Sequence, residues 1–369
     1  MRLPASAAFA ILFAAIIAAP AQTAPPVTGS SAATAPAQAV AAGPAWEDVS
    51  SWGDLHPVET HNIVYANMPV IKNPSVLNPS RPGGVVLPTP IIGGTVDLHL
   101  DVFQMPSAKP APVVVHLHGG GWTAPAGQSH SFAPFTALLA AGISVVSVQY
   151  RSSLEAPAPA ALQDVHCVLS WVKANAAKYN FDVNRVILYG VSAGGELAMM
   201  AAYAPDTFDP PGCTDQPKVA AVLDYYGPPD LVEAMAIPLE PGIGDFLHQW
   251  FGLAVPLPAD PAVMATANGA PAPTRWPEPS AAEVALAKQL SPMTYIRPGL
   301  SPTYIVNGDR DPRVDPAQDS KLKMALDAAG VPAGHDIIPG AGHGNFPKPE
   351  ANKAWLLCLQ FLEAQGILQ

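Results

Sequence analysis

The feature that most constrains this chain is Gly190-Val191-Ser192-Ala193-Gly194, which follows directly on the apolar run Arg185-Val186-Ile187-Leu188-Tyr189. An apolar run broken at glycine and resumed as an Ala/Leu/Met-rich segment over 195–204 reads as strand, tight turn and helix. Such a turn holds a serine on a strained corner at the end of a sheet strand, its hydroxyl clear of the edge. Glycines flank the serine because a Cβ there would collide with neighbouring backbone. The helix beyond aims its positive N-terminus at the same spot. The pattern implies nucleophilic chemistry at Ser192.

Around that corner, strand and helix signals alternate. Residues 96–102 alternate apolar and polar, while 113–117, 143–149, 186–189, 219–225, 303–307 and 335–338 read as buried strands. Helices are expected near 132–141 and over 161–179, 195–204, 316–329 and 350–364. This order implies the α/β class, a mainly parallel sheet with helices on both faces. Segment 238–280 breaks the pattern: it is crowded with Pro, Ala and Gly yet carries Phe246, Trp250, Phe251 and Trp276. It reads as an insertion over the C-terminal edge of the sheet, where ligands bind in open α/β folds. It is either a small substrate-shaping cap or a variable surface loop.

A serine hydroxyl is a poor nucleophile until a base takes its proton, and the base needs a third group to fix its tautomer. The expected base is His343, in Gly340-Ala341-Gly342-His343-Gly344, between the last strand and the terminal helix. Its rival, His335, stands at the start of a strand and reads as structural. For the acid, Asp309, Asp311 and Asp315 compete in the loop after 303–307. Asp311 is favoured, with Pro312 stiffening the loop and Val314 packing it down, whereas Asp309 can pair with Arg310 or Arg313 at the surface. Charge developing on an attacked carbonyl needs donors, usually backbone amides. The glycine-rich strand exit His118-Gly119-Gly120-Gly121 supplies some, and Ala193 another.

His118-Gly119-Gly120-Gly121-Trp122, Tyr150-Arg151, Gln163-Asp164-Val165, Trp171-Val172, Asp182 with Arg185, and Gly190 to Gly195 stand in a telling order. It resembles the α/β-hydrolase esterases, in particular the hormone-sensitive-lipase-like and acetyl-esterase (feruloyl-esterase-like) branches. Tyr226-Gly227, Ser291-Pro292 and the loops of Asp311 and His343 continue the resemblance, which runs from Leu98 to Phe361. It implies an α/β-hydrolase fold with Ser192 as nucleophile, Asp311 as acid, His343 as base, and Gly120, Gly121 and Ala193 as oxyanion amides. Two positions depart from the pattern. Asn307 stands where histidine is frequent, and Glu196 where histidine or asparagine is usual. Glu196 is expected as a surface charge in the first helical turn, stabilised by the helix dipole; the alternative puts it beside the pocket, disfavouring anionic substrates. Arg151 and Asp164 are expected to form an ion pair between a loop and a helix, and His99, His116 and His166 to be scaffold histidines.

The start of the chain reads differently. Met1-Arg2, an uncharged apolar stretch and Ala19-Pro20-Ala21 form a secretory signal pattern over 1–21. About fifteen apolar residues fall short of the about 20 that a membrane span needs, so cleavage is favoured over an anchor. Residues 22–45, built of small and polar residues with proline, predict a flexible leader before one hydrolase domain over 46–369. A secreted or periplasmic location follows, with no stable membrane insertion after cleavage. A formal charge of −11 argues against nucleic acid. Three cysteines suit an exported protein with at most one disulfide. Sequence does not fix the pairing; Cys167 with Cys213 is preferred because their helices flank the elbow strand, leaving Cys358. No His/Cys cluster has zinc-like spacing and no phosphate-binding fingerprint occurs, so neither metal nor cofactor is expected.

The expectation is therefore an exported serine hydrolase cleaving carboxylic esters, small-acyl or acetyl esters of small molecules or carbohydrates, through an acyl-serine intermediate. Two alternatives stand beside it. One is a peptidase or formamidase-like amide hydrolase on the same fold, which a peptide panel separates. The other is a catalytically silent binding module, which a fluorophosphonate would fail to label at Ser192. The oligomeric state is left open.

Overall fold

Side-chain alternation in the central strands builds two cores, one on each face of a single sheet. The computed structural model describes residues 44–71, 93–123, 127–204, 206–236, 247, 250–252 and 279–368. The expected signal segment and all but the end of the leader lie outside the described residues. So does most of the insertion, including Phe246 and Trp276. Eight strands form the sheet among the described residues: β1 (Val58–Pro69), β2 (Thr95–Gln104), β3 (Ala111–Leu117), β4 (Ser144–Val148), β5 (Phe181–Val191), β6 (Val219–Tyr225), β7 (Thr303–Gly308) and β8 (Ala333–Ile338). Their spatial order is β1-β2-β4-β3-β5-β6-β7-β8. Strands β3 to β8 are parallel, whereas β2 runs antiparallel to both β4 and β1.

The helices are α1 (Thr136–Ala140), α2 (Ala160–Ala174), α3 (Ala176–Tyr179), α4 (Ala193–Tyr203), α5 (Leu231–Ala236), α6 (Ala281–Gln289), α7 (Pro316–Ala328) and α8 (Lys348–Ala364). Val113, Val115, Leu117, Val186 and Leu188 turn to one face and pack with α2, α4 and α7. Val114, Ile187, Tyr189 and Leu223 turn to the other, against α1 and α8. Each such side chain, fully buried, contributes about 1.5–3 kcal/mol, and both faces of the central strands are covered. That is why these strands read as unbroken apolar runs.

Several boundaries differ from the sequence reading. The helix expected over 161–179 is broken at Asn175, whose side chain donates to the Trp171 carbonyl, and α3 stops at left-handed Asn180. The stretch near 132–141 begins as a 3-10 turn, Ala133–Phe135, with Pro134 inside it. Strand β1, largely exposed, lacks a clean apolar alternation. Helix α6 carries a capping box, Ser280 with Glu283.

Cys167 and Cys213 form a disulfide with their Cα atoms 4.7 Å apart. Cys213, however, lies in a turn after the 3-10 segment Asp206–Phe208, not in a helix. Cys358 is free and buried in α8, its thiol against the Tyr225 hydroxyl, and burial pushes its pKa up to about 12. The Arg151 guanidinium meets Asp164 at 2.7 Å and also donates to the carbonyls of Pro69 and Ala160, joining β1, the β4 exit and α2. Burial raises Asp164 to about 6 even with this partner. Desolvation lowers His116 to about 3, and His166 is also lowered although it faces Asp209. Both serve the scaffold as neutral rings. Among the described residues no helix is long and apolar enough to cross a membrane.

Candidate active site

Parallel strands end on the same side of a sheet, so the C-terminal exits of β3, β5, β7 and β8 converge. Each carries one of the singled-out motifs. At the exit of β5, Ser192 has φ 55° and ψ −123°, a left-handed value unfavourable for a residue with a Cβ. The corner closes only because its neighbours are glycines. A Cβ on Gly190 would lie 2.0 Å from the Gly194 carbonyl oxygen, and one on Gly194 would lie 2.1 Å from that of Leu117. The Ser192 N–H donates to Tyr225 O, fastening the corner to the end of β6.

The structure brings Ser192, His343 and Asp311 into one relay. His343 Nε2 lies 2.8 Å from Ser192 Oγ, and Nδ1 lies 2.7 Å from Asp311 Oδ2. With Nδ1–H donating to the carboxylate, Nε2 is left as the acceptor for the serine proton. The other oxygen of Asp311 accepts the N–H groups of Arg313 and Val314, which hold the carboxylate in place. The Tyr226 ring meets the imidazole edge-on, with centroids 4.7 Å apart.

The competing carboxylates are accounted for separately. Asp309 accepts the Gly340 N–H and so ties down the loop leading to His343, in place of the expected pairing with an arginine. Asp315 caps α7. His335 and Asn307 bond each other at 2.7 Å, away from the relay.

The glycine loop after β3 abuts the serine, since a Cβ on Gly119 would lie 3.2 Å from Ser192 Cβ. Gly120 and Gly121 take φ values of 118° and 60°, and neither N–H donates to a backbone carbonyl among the described residues. The Ala193 N–H begins α4 and has no acceptor within its own helix. His118 stacks on Tyr150 at 4.2 Å, and Tyr150 donates to the His118 carbonyl. Burial lowers His118 to about 4, so it braces the loop as a neutral ring.

Glu196 corrects the sequence reading: its side chain is 0 % exposed. Trp122 Nε1 donates to Glu196 Oε2 at 3.0 Å, and the Trp122 ring stacks on Trp250 at 4.5 Å. Burial, opposed by the Trp122 bond and reinforced by Asp224, pushes the Glu196 carboxyl well above its usual range. Asp224 and Asp319 are also buried and raised, both chiefly by desolvation. Sequence reasoning overlooked this acidic layer and the Tyr226 contact. Tyr226-Gly227 at the end of β6 was the available signal for the latter.

The chain shares 28 % identity over 259 residues with the esterase LipQ of Mycobacterium tuberculosis, covering 68 % of this chain and 55 % of that protein. It shares 38 % over 120 residues with the carboxylesterase NlhH of the same organism, covering 32 % of this chain and 38 % of that protein. The chain thus matches about half the length, or less, of these relatives. Esterase 2 of Thermogutta terrifontis, in a structure phosphoramylated by tabun, has the same fold, with a TM-score of 0.57 at 22 % identity over 74 % of this chain and 91 % of that one. The BD-FAE family model matches residues 100–326, from β2 into α7, a span that takes in the glycine loop, the elbow and Asp311 and stops short of His343. That span exceeds half of the chain, which therefore belongs to the BD-FAE family and carries the α/β-hydrolase fold.

Proposed function

We propose that this protein hydrolyses carboxylic esters through an acyl-serine intermediate. The observation that carries the reading is the unbroken Asp311–His343–Ser192 relay on a strained elbow. In this mechanism Ser192 Oγ attacks the ester carbonyl carbon while His343 Nε2 takes the hydroxyl proton. Asp311 holds the imidazole in the required tautomer. The carbonyl oxygen becomes an oxyanion facing the amides of Gly120, Gly121 and Ala193. His343 then hands its proton to the leaving alkoxide, and a water molecule, activated by the same imidazole, releases the acid and restores the serine.

Small acyl groups, acetyl above all, fit this reading best. The loop beside Ser192 is glycine, so none of its side chains crowds a short acyl group. Small-molecule and carbohydrate-linked esters are the proposed substrates. Export is part of the proposal, supported by the 1–21 pattern and by a disulfide, which persists in oxidising compartments.

The test is hydrolysis of p-nitrophenyl acetate, butyrate, octanoate and laurate beside Ser192→Ala. Turnover is expected to be greatest on the two short esters and to fall by about 10⁴-fold or more in the variant. Equal rates in the two proteins would dismiss Ser192 as the nucleophile, and cleavage confined to a peptide panel would move the reading to amide hydrolysis.

A further inference from the structure

We infer that His61, Asp101 and His130 form a binding site for one divalent transition-metal ion, with zinc the best match. The expectation of no metal rested on spacing along the chain, and these residues are far apart there. In the fold they come from β1, from β2, and from the segment between the glycine loop and α1. His61 Nδ1 lies 3.1 Å and His130 Nδ1 2.6 Å from the same atom, Asp101 Oδ2. All three candidate ligand atoms lie within 4.8 Å of one another.

The backbone is shaped for this meeting. The pairing of β1 with β2 jumps from Thr60↔Val102 to Ile63↔Leu100, so His61 and Asn62 together stand opposite Asp101. That is a β-bulge, a device that re-aims a side chain. Asn62 sits at φ 55°, and its N–H donates to Asp101 Oδ1 at 2.8 Å. One carboxylate oxygen is thereby pinned to the bulge, and the other is turned to both imidazoles. A second carboxylate completes the arrangement: Glu59 Oε2 lies 3.2 Å from His61 Nε2. Histidines that bind metal through one ring nitrogen commonly give the other N–H to a carboxylate, which fixes tautomer and orientation.

An ion among the three atoms would replace the two Nδ1 protons that now face Asp101. Each imidazole stays neutral by carrying its proton on Nε2, which for His61 points at Glu59. Two neutral imidazoles and one carboxylate suit a dication, and this nitrogen-rich set favours zinc over magnesium or calcium. Three protein ligands leave a fourth tetrahedral position for water. Access is open, because the side chains of His61 and His130 are 38 % and 58 % exposed while Asp101 is buried. The bound ion would staple the sheet edge to the segment that follows the glycine loop.

The test is calorimetric titration of the chelator-treated, dialysed protein with Zn²⁺, alongside thermal melting. One equivalent per chain is expected, with a rise in melting temperature that Mg²⁺ does not reproduce. His61→Ala/His130→Ala, which alters only exposed rings, should weaken binding by at least the about 10–100-fold typical of losing an outer partner, and should abolish the thermal shift. Should that double variant fail to fold, Glu59→Gln keeps all three ligands and is expected to weaken binding about tenfold. Absence of stoichiometric binding in the wild type, or undiminished binding in the variants, overturns the proposal.

Discussion

Two kinds of buried carboxylate in this molecule differ in one respect. At the relay, Asp311 receives donors on both oxygens: two backbone N–H groups on one and His343 on the other. In α4, β6 and α7, three other acids are short of donors. Glu196 Oε1, Asp224 Oδ2 and both oxygens of Asp319 have no hydrogen-bond partner, and burial raises all three groups. Glu196 lies in the first turn of α4, where the dipole favours a negative charge by about 0.3–1 kcal/mol. Removing a carboxylate from water costs several kcal/mol, so desolvation outweighs the dipole and pushes the pKa of the carboxyl up. A buried acid takes its state from the donors around it. Donors on both oxygens orient the Asp311 carboxylate, whereas burial without them favours the neutral acid.

Substitutions can break that comparison. The largest effect is expected at the relay: Asp311→Asn keeps the shape but lets the imidazole adopt the wrong tautomer. The kcat for p-nitrophenyl butyrate should fall about 10⁴-fold with little change in melting temperature. A loss below tenfold would show that another group orients His343. Next comes Trp122→Phe, which removes the donor that Glu196 has and leaves that oxygen buried and unpaired. Chemical denaturation should show a loss of about 1–3 kcal/mol. Its kcat should change by less than the about 10²–10³ that loss of an oxyanion donor brings.

The smallest effect sharpens the contrast through pH. An acid with a raised folded-state pKa binds its proton more tightly in the fold than in the unfolded chain. Its stabilising share is complete below the unfolded value and is lost as pH rises through the folded one. For Glu196 the unfolded value is 4.5, so Glu196→Gln should gain melting temperature relative to wild type as pH climbs from there toward 8. A difference that is flat across that range would mean that Glu196 is ionised in the fold.

Much of this was legible in the sequence because local patterns carry it. The elbow needs its glycines within four residues of each other, and the buried strands announce themselves as apolar runs. Asp311 and His343 occupy loops that follow recognisable strands. Glu196 was misplaced because a charge in a first helical turn is usually solvated. Its neighbours Leu197, Ala198, Met199 and Met200 held the corrective signal, since a helix apolar all round is a buried helix, and any charge in it is buried too. Asn307 and His335 look unrelated along the chain, although they bond each other across adjacent strands. Strand β1 hid because it lies at an edge of the sheet and is largely exposed. The His61–Asp101–His130 cluster depends on a bulge, which no periodicity reveals.

With Cys167 and Cys213 joined, Cys358 is the one sulfhydryl of the three cysteines left for an alkylating reagent. It is fully buried within α8, and its raised pKa keeps the reactive thiolate scarce at neutral pH. Under native conditions, labelling at this single sulfur is therefore expected to be slow and to follow the population of molecules opened around α8.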